Sequence, residues 1–180
     1  MDAALTHWIN SFAGTNALLD SVMAASTQFG VPLIVGLVIL QWWSSKDRTH
    51  VRHAAICAGL SFLLGQAINQ GILLFIHRPR PYDADVTHLL IASSADWSFP
   101  SDHATAVTAI VAAFAMQRLP GRALAFGGMA LLVCVSRIFV GTHYVTDILG
   151  GIATGILAAV AIRWVYREGN PIDRLLIRIL

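Results

Sequence analysis

His143 and Asp147 stand four residues apart at the start of a long apolar run. With Asp147 in the first turn of a helix, its carboxylate reaches the His143 ring. A carboxylate on one ring nitrogen fixes the tautomer and leaves the other nitrogen as a nucleophile. Arg137 lies six residues before His143, within the stretch Ser136 to Asp147, and two more arginines stand in His77-Arg78-Pro79-Arg80-Pro81-Tyr82. The planar, permanently charged fork of arginine matches phosphate oxygens. Arg78, Arg80 and Arg137 converging on one place suit a phosphate or a pyrophosphate. A third stretch, Phe99-Pro100-Ser101-Asp102-His103, opens another apolar run. Ser101 fits the N-cap of that helix, where free backbone N–H groups favour an anion. His103 is then a second histidine, free to give a proton to a leaving oxygen. His103, His143 and Asp147 also resemble a metal-ligand set, but the adjoining arginines repel a cation, so no metal or other cofactor is expected.

Taken singly, each residue has an ordinary explanation. Arg78 and Arg80 suit lipid headgroup anchors, Ser101 and Asp102 suit helix caps, and Asp147 suits the positive end of a helix dipole. His77 and His88 stay in that ordinary class, as interfacial or structural histidines. The joint occurrence of the others is what favours a phosphate site.

Such a site needs elements to carry it, and the composition says what these are. Of 180 residues, 56% are hydrophobic and 12% charged. An ordinary soluble domain has about 45–50% apolar and about 25% charged residues. A chain this short cannot bury that excess in one water-facing core, so lipid is its counterpart. A net charge of +2 is too small to suggest polyanion binding and gives no reason to expect a nucleic-acid partner. A spanning helix takes about 20 apolar residues, and five candidates are present. They cover roughly residues 18–43, with a bend expected at Gly30 and Pro32, then 54–76, 104–117 (extensible to Ser101), 123–140 and 145–165. The fold class expected is all-α, a single membrane-embedded helical bundle over residues 1–180 with its motifs at about 70–150. Leu5, Trp8, Ile9 and Phe12 recur at helical spacing and predict an amphipathic interfacial helix at the N-terminus. Pro171–Leu180 reads as a second one.

With five spans, Lys46, Arg48, Arg52, Arg118, Arg122, Arg163, Arg167, Arg174 and Arg178 fall on one side. The positive-inside rule makes that side cytoplasmic. The three motif stretches then meet at the outer face of the cytoplasmic membrane, together with Arg78, Arg80 and Arg137. Ionisable groups at such depth are costly and mark function. Cys57 and Cys134 lie in apolar runs, which favours buried or lipid-facing thiols over a disulfide. Gly151 and Gly155 form a small-xxx-small pair that suits close packing, either within the bundle or between the protomers of a homodimer. The long Asp83–Ser98 loop suits a lid or lipid entry as well as it suits plain surface packing.

Arg80-Pro81, Pro100-Ser101-Asp102-His103 and Ser136-Arg137 with His143 and Asp147 resemble the three signature motifs of the type 2 phosphatidic acid phosphatase superfamily. The resemblance spans roughly residues 50–165. It implies a helical bundle and metal-independent phosphate hydrolysis through a phosphohistidine. By position, His143 is the nucleophile, Asp147 its orienting partner and His103 the proton donor. Arg80, Arg137 and Ser101 hold the phosphoryl oxygens. Two positions depart from the pattern: Leu73 stands where a lysine is usual, and Asp102 where a glycine is usual. Arg78 is a candidate for the missing charge, and a carboxylate at Asp102 is a candidate modulator of His103. The Pro-Ser-Asp-His form and the short length are similar to bacterial undecaprenyl pyrophosphate phosphatases of the bacitracin-resistance type. A polyprenyl pyrophosphate in the lipid phase is the substrate this implies. Phosphatidate, phosphatidylglycerophosphate and other lipid phosphates would use the same site. A non-catalytic lipid carrier with a decayed site is the alternative of another class.

Overall fold

The computed structural model describes residues 1–44 and 46–179. Among these residues there are seven α-helices and no strand. They are α1 (Asp2–Asn10), α2 (Ala17–Leu40), α3 (Arg48–Leu73), α4 (Asp102–Met116), α5 (Pro120–Phe139), α6 (Val145–Val165) and α7 (Pro171–Ile179). A 3-10 turn, Gln41–Trp43, extends α2. The four helices α2, α3, α5 and α6 are long and apolar enough to cross a membrane. The fifth expected span, α4, has 15 residues, about 22 Å of helix at 1.5 Å per residue. It is short of the roughly 30 Å hydrocarbon layer.

α4 is short because it is the core rather than a lipid-facing span. Val107, Ile110 and Phe114 of α4 pack with Ile34 of α2, Ala54 and Ala58 of α3, Val133 of α5 and Ile148 of α6. Leu33, Leu63, Leu124, Leu131 and Leu157 point outward from the surrounding helices and are exposed. Apolar side chains on the outside of a bundle need lipid as their solvent, and the protein is read as an integral membrane protein.

Two expectations about packing resolve within the chain. A side-chain carbon on Gly151 would meet the Ser101 carbonyl oxygen at 2.5 Å, and one on Gly155 would meet the Thr105 carbonyl oxygen at 2.7 Å. The small-xxx-small pair therefore lets α6 lie against the backbone of α4. This packing is internal to the chain. Gly30 acts similarly between α2 and α5, where a side-chain carbon would collide with Val133. α2 runs through Gly30 and Pro32 without interruption.

The N-terminal helix is amphipathic, as expected, and it also docks on protein. Leu5, Trp8 and Phe12 are exposed as expected, but Thr6 and Asn10 are buried against protein. The polar face of α1 docks on the bundle and the apolar face is turned outward. At the other end α7 is tethered by Asp173, which is buried and accepts from the Tyr166 hydroxyl at 2.6 Å. Leu180, the last residue of the expected tail helix, lies outside the described residues. Cys57 and Cys134 are free and buried.

Candidate active site

Three connections meet at the end of the bundle that holds the start of α4, the end of α5 and the start of α6. Each is fixed by local chemistry. Ser101 caps α4 by accepting from the Ala104 N–H, and its own N–H donates to the Asp147 carbonyl at 3.1 Å. Asp147 caps α6 in turn, accepting the Tyr144 N–H at 2.8 Å. Gly141 lies between α5 and α6 with φ +86°, and a side-chain carbon there would strike the His88 carbonyl at 2.5 Å. Only glycine meets both demands, a left-handed turn and a close backbone approach.

The loop from residue 83 to 98 lies over these connections and is pinned to them. Thr87 donates to the Gly141 carbonyl at 2.9 Å, and the Leu90 N–H donates to Val140 at 3.1 Å. Tyr82 and Ser94 close the loop on itself through hydroxyl and backbone, at 2.9 and 3.0 Å.

Beneath the loop is a cavity of about 120 Å³. His143, His103, Arg80, Arg137 and Asp102 line it, with Leu73 and Trp97 among its apolar walls. The structure thus brings together residues as far as 63 positions apart in the chain. Ser101 sits behind the wall as a fully buried cap.

His143 is held in one tautomer from both sides. Its Nδ1 lies 2.8 Å from the Ser98 carbonyl oxygen, which only accepts, so Nδ1 carries the proton. Its Nε2 lies 3.3 Å from Arg80 Nη1, which only donates, so Nε2 keeps its lone pair. Burial pushes the His143 imidazolium down to about 4, with the Arg137 and Arg80 charges adding to burial and Asp147 opposing them. The ring is therefore neutral at neutral pH, with the Nε2 lone pair available. Arg80 is fixed by its donations to the carbonyls of Asp96 at 2.9 Å and Thr142 at 3.0 Å. Arg137 is 7% exposed, and its buried Nε has no hydrogen-bond partner among the described residues. A buried, unpartnered guanidinium N–H beside a polar cavity is a place prepared for an anion.

The direct His143–Asp147 contact suggested by the spacing is longer than a hydrogen bond, at 3.6 Å. Ser98 stands between them: its carbonyl takes His143 Nδ1 and its hydroxyl donates to Asp147 Oδ2 at 2.5 Å. Sequence reasoning missed Ser98. The signal available was a small hydroxyl residue three positions before the capping Ser101. Arg78 does not line the cavity. Its fork is engaged by Asp147 at 2.6 Å and Asp2 at 2.6 Å, and its guanidinium lies 3.8 Å above the Tyr144 ring. The charge of the absent lysine is therefore not restored by Arg78, and Leu73 presents an apolar wall instead.

Asp102 lines the cavity without an arginine partner. Asn69 of α3 donates to its Oδ1 at 2.7 Å, and Gln66 donates to its backbone carbonyl at 3.0 Å. These two polar residues of α3 hold Asp102 in place at the cavity wall. His77 packs on Trp97 with ring centroids 5.0 Å apart. Among the described residues, no three His, Cys, Asp or Glu side chains form a metal-ligating group.

Residues 54–170 match the model of the PAP2 superfamily. An undecaprenyl-diphosphatase, BcrC of Bacillus subtilis (strain 168), is 37% identical over 153 residues, covering 83% of this chain and 76% of that protein. Phosphatidylglycerophosphatase B of the same organism is 33% identical over 108 residues, covering 54% of this chain and 51% of that protein. The crystal structure of the first transmembrane PAP2 type phosphatidylglycerolphosphate phosphatase from Bacillus subtilis superposes with a TM-score of 0.67. It shares 24% identity and covers 94% of this chain and 86% of the other. That likeness extends over the whole bundle and concerns the fold.

Proposed function

Because the chain belongs to the PAP2 superfamily, we propose that it is a membrane lipid phosphatase that hydrolyses undecaprenyl pyrophosphate to undecaprenyl phosphate and phosphate. One observation carries the chemistry: a neutral His143 Nε2 faces the same small cavity as His103, Arg80 and the unpartnered Arg137. The similarity to the Bacillus subtilis undecaprenyl-diphosphatase supports the choice of substrate.

In the first step His143 Nε2 bonds to the terminal phosphorus as the bridging P–O bond breaks. The departing lipid monophosphate takes a proton from His103. Burial and the Arg137 charge push that imidazolium down to about 3 before substrate binds. The proton must therefore arrive with the bound pyrophosphate anion, whose negative charge offsets the arginines and holds it on the ring. Arg80 and Arg137 balance the charge on the phosphoryl oxygens. The ring becomes cationic when Nε2 bonds, and Asp147, 3.6 Å from Nδ1, stabilises it. In the second step His103 takes a proton from water, the water oxygen attacks phosphorus and the P–N bond breaks. Phosphate leaves and His143 returns to its neutral form. Two steps avoid direct attack of water on a crowded anion. Arg78 serves as the partner of Asp147 rather than as a phosphate ligand. The site faces the periplasm or the cell exterior from the cytoplasmic membrane, by the positive-inside distribution of Lys and Arg.

A second reading keeps the same site and changes the lipid. It is favoured by the 33% identity to the phosphatidylglycerophosphatase. Phosphate release from undecaprenyl pyrophosphate, phosphatidylglycerophosphate and phosphatidate, measured side by side with EDTA, decides between them. The pyrophosphate is expected to be the best substrate and EDTA to have no effect. Preference for a monophosphate lipid contradicts the substrate, and a loss restored by a divalent ion contradicts the metal-independent mechanism.

A further inference from the structure

α1 is built as a clamp. Its outward residues Leu5, Trp8 and Phe12 are apolar, and its inward spine is Asp2, Thr6 and Asn10, spaced four apart. Each spine residue holds a different part of the site's frame. Asn10 donates to the carbonyls of Phe139 at 2.7 Å and His88 at 2.9 Å, and accepts the His88 N–H at 2.7 Å. Thr6 accepts the Val145 N–H at 3.2 Å. Asp2 accepts the Thr146 N–H at 3.1 Å, the Thr146 hydroxyl at 2.5 Å and Arg78 Nη2 at 2.6 Å. Arg78 then reaches Asp147 through its other terminal nitrogen, at 2.6 Å.

From this row of alternating charges we infer that Asp2 is a positioning residue for catalysis, acting through Arg78 on Asp147. The inference rests on the proposed role of His143. Asp147 is fully buried, so the charge it presents to the His143 ring depends on what else it balances. Arg78 lies between two carboxylates and divides its charge and its two terminal nitrogens between them. Burial pushes the Asp2 carboxyl up, but the Arg78 and Thr146 hydrogen bonds outweigh it and hold the group below the ordinary carboxylate range. Asp2 is thus ionised at neutral pH. Without it, the whole Arg78 charge bears on Asp147, which then counters the cationic His143 ring less well. That ring charge exists only once Nε2 has begun to bond to phosphorus, so the loss falls on kcat and not on KM.

The test is phosphate release from undecaprenyl pyrophosphate in detergent micelles by the full-length protein. Asp2→Asn is expected to lower kcat about tenfold with KM within about twofold, the scale of one charge-assisted hydrogen bond. Asp2→Glu is expected to recover most of the loss, because it restores the charge. In an Arg78→Gln background Asp2→Asn is expected to add nothing, since the two act in series. Wild-type kcat in Asp2→Asn, a loss confined to KM, equal impairment in Asp2→Glu, or full additivity with Arg78→Gln each overturns the inference. If Arg78→Gln does not fold, the split and the rescue still decide. A parallel His143→Ala sample separates the two claims. Turnover by that variant removes the nucleophile, whereas a silent His143→Ala with an unaffected Asp2→Asn removes only the role of Asp2.

Discussion

The two ends of the bundle each bury a histidine with a carboxylate near it, and they do opposite things. At one end His53 Nδ1 lies 2.8 Å from Asp173, and both residues are 1% exposed. At the other, His143 is 3% exposed and lies 3.6 Å from Asp147. The tautomers are the same. His53 Nε2 receives the Gln117 amide at 3.2 Å, as His143 Nε2 receives Arg80 at 3.3 Å. The difference lies in what surrounds the free nitrogen. His53 Nε2 meets a neutral amide and the Cys57 sulfur at 3.4 Å, and its ring stacks on Tyr166 with centroids 5.2 Å apart. His143 Nε2 faces a cavity with two guanidinium groups, one of them holding an unpartnered N–H. A buried histidine–carboxylate pair therefore does not mark a site by itself. Unused hydrogen-bond capacity and a space to receive a ligand do. The His53 end is a latch that ties α7 to α3.

Exchanging the two histidines for alanine breaks or sharpens that contrast. His143→Ala is expected to lower turnover by about 10⁴-fold or more with the fold retained. His53→Ala is expected to leave kcat of the folded protein within about threefold, but to lower stability by about 3–5 kcal/mol, because Asp173 loses its buried partner. Activity assays paired with thermal unfolding in detergent check both. A catalytic loss in His53→Ala as large as that in His143→Ala would erase the distinction between the ends.

Next in size is Arg137→Ala. The guanidinium has no structural bond to lose at Nε, so its removal is expected to cost about 10²–10³-fold in kcat. The melting temperature should change little, as the same two measurements will show. A stability loss without a rate loss would make Arg137 a structural group like His53.

The smallest effect concerns pH. The His143 pKa is lowered in the folded protein, so the neutral nucleophile persists as pH falls below the ordinary histidine value of about 6.5. The acid limb that His143 sets on kcat/KM is expected below that value, toward about 4. A limb at 6.5 or above would show that burial and the two arginines do not act on the ring as described. Stability follows the same sign: a group with a lowered folded pKa contributes fully above its unfolded pKa and loses that contribution as pH falls through the folded one.

Much of this was legible in the sequence, because the residues that carry the chemistry also carry the topology. Apolar run lengths located the helices, and the scarcity of charge made Arg78, Arg80 and Arg137 conspicuous. Ser101 as a cap follows from its place before an apolar run. The rest depended on tertiary contact. Four-residue spacing puts Asp147 near His143, but it cannot reveal that the Ser98 carbonyl takes the ring N–H. Arg78 and Arg80 are two residues apart and look alike, yet one pairs with carboxylates and the other meets His143 Nε2. α1 has the composition of an interfacial helix, and only the loops beneath it turn its polar face inward. Gly151 and Gly155 fit two kinds of packing until the backbone of α4 is seen against them.

The central claim is that His143 accepts the phosphoryl group. Rapid quenching of the wild-type protein during turnover of undecaprenyl pyrophosphate labelled in its terminal phosphate tests it most directly. Denaturation at alkaline pH preserves a phosphohistidine, and peptide mass spectrometry locates it. The expected result is label on His143, absent in His143→Ala. Turnover with no label on any histidine, or label on His103 in place of His143, would contradict it.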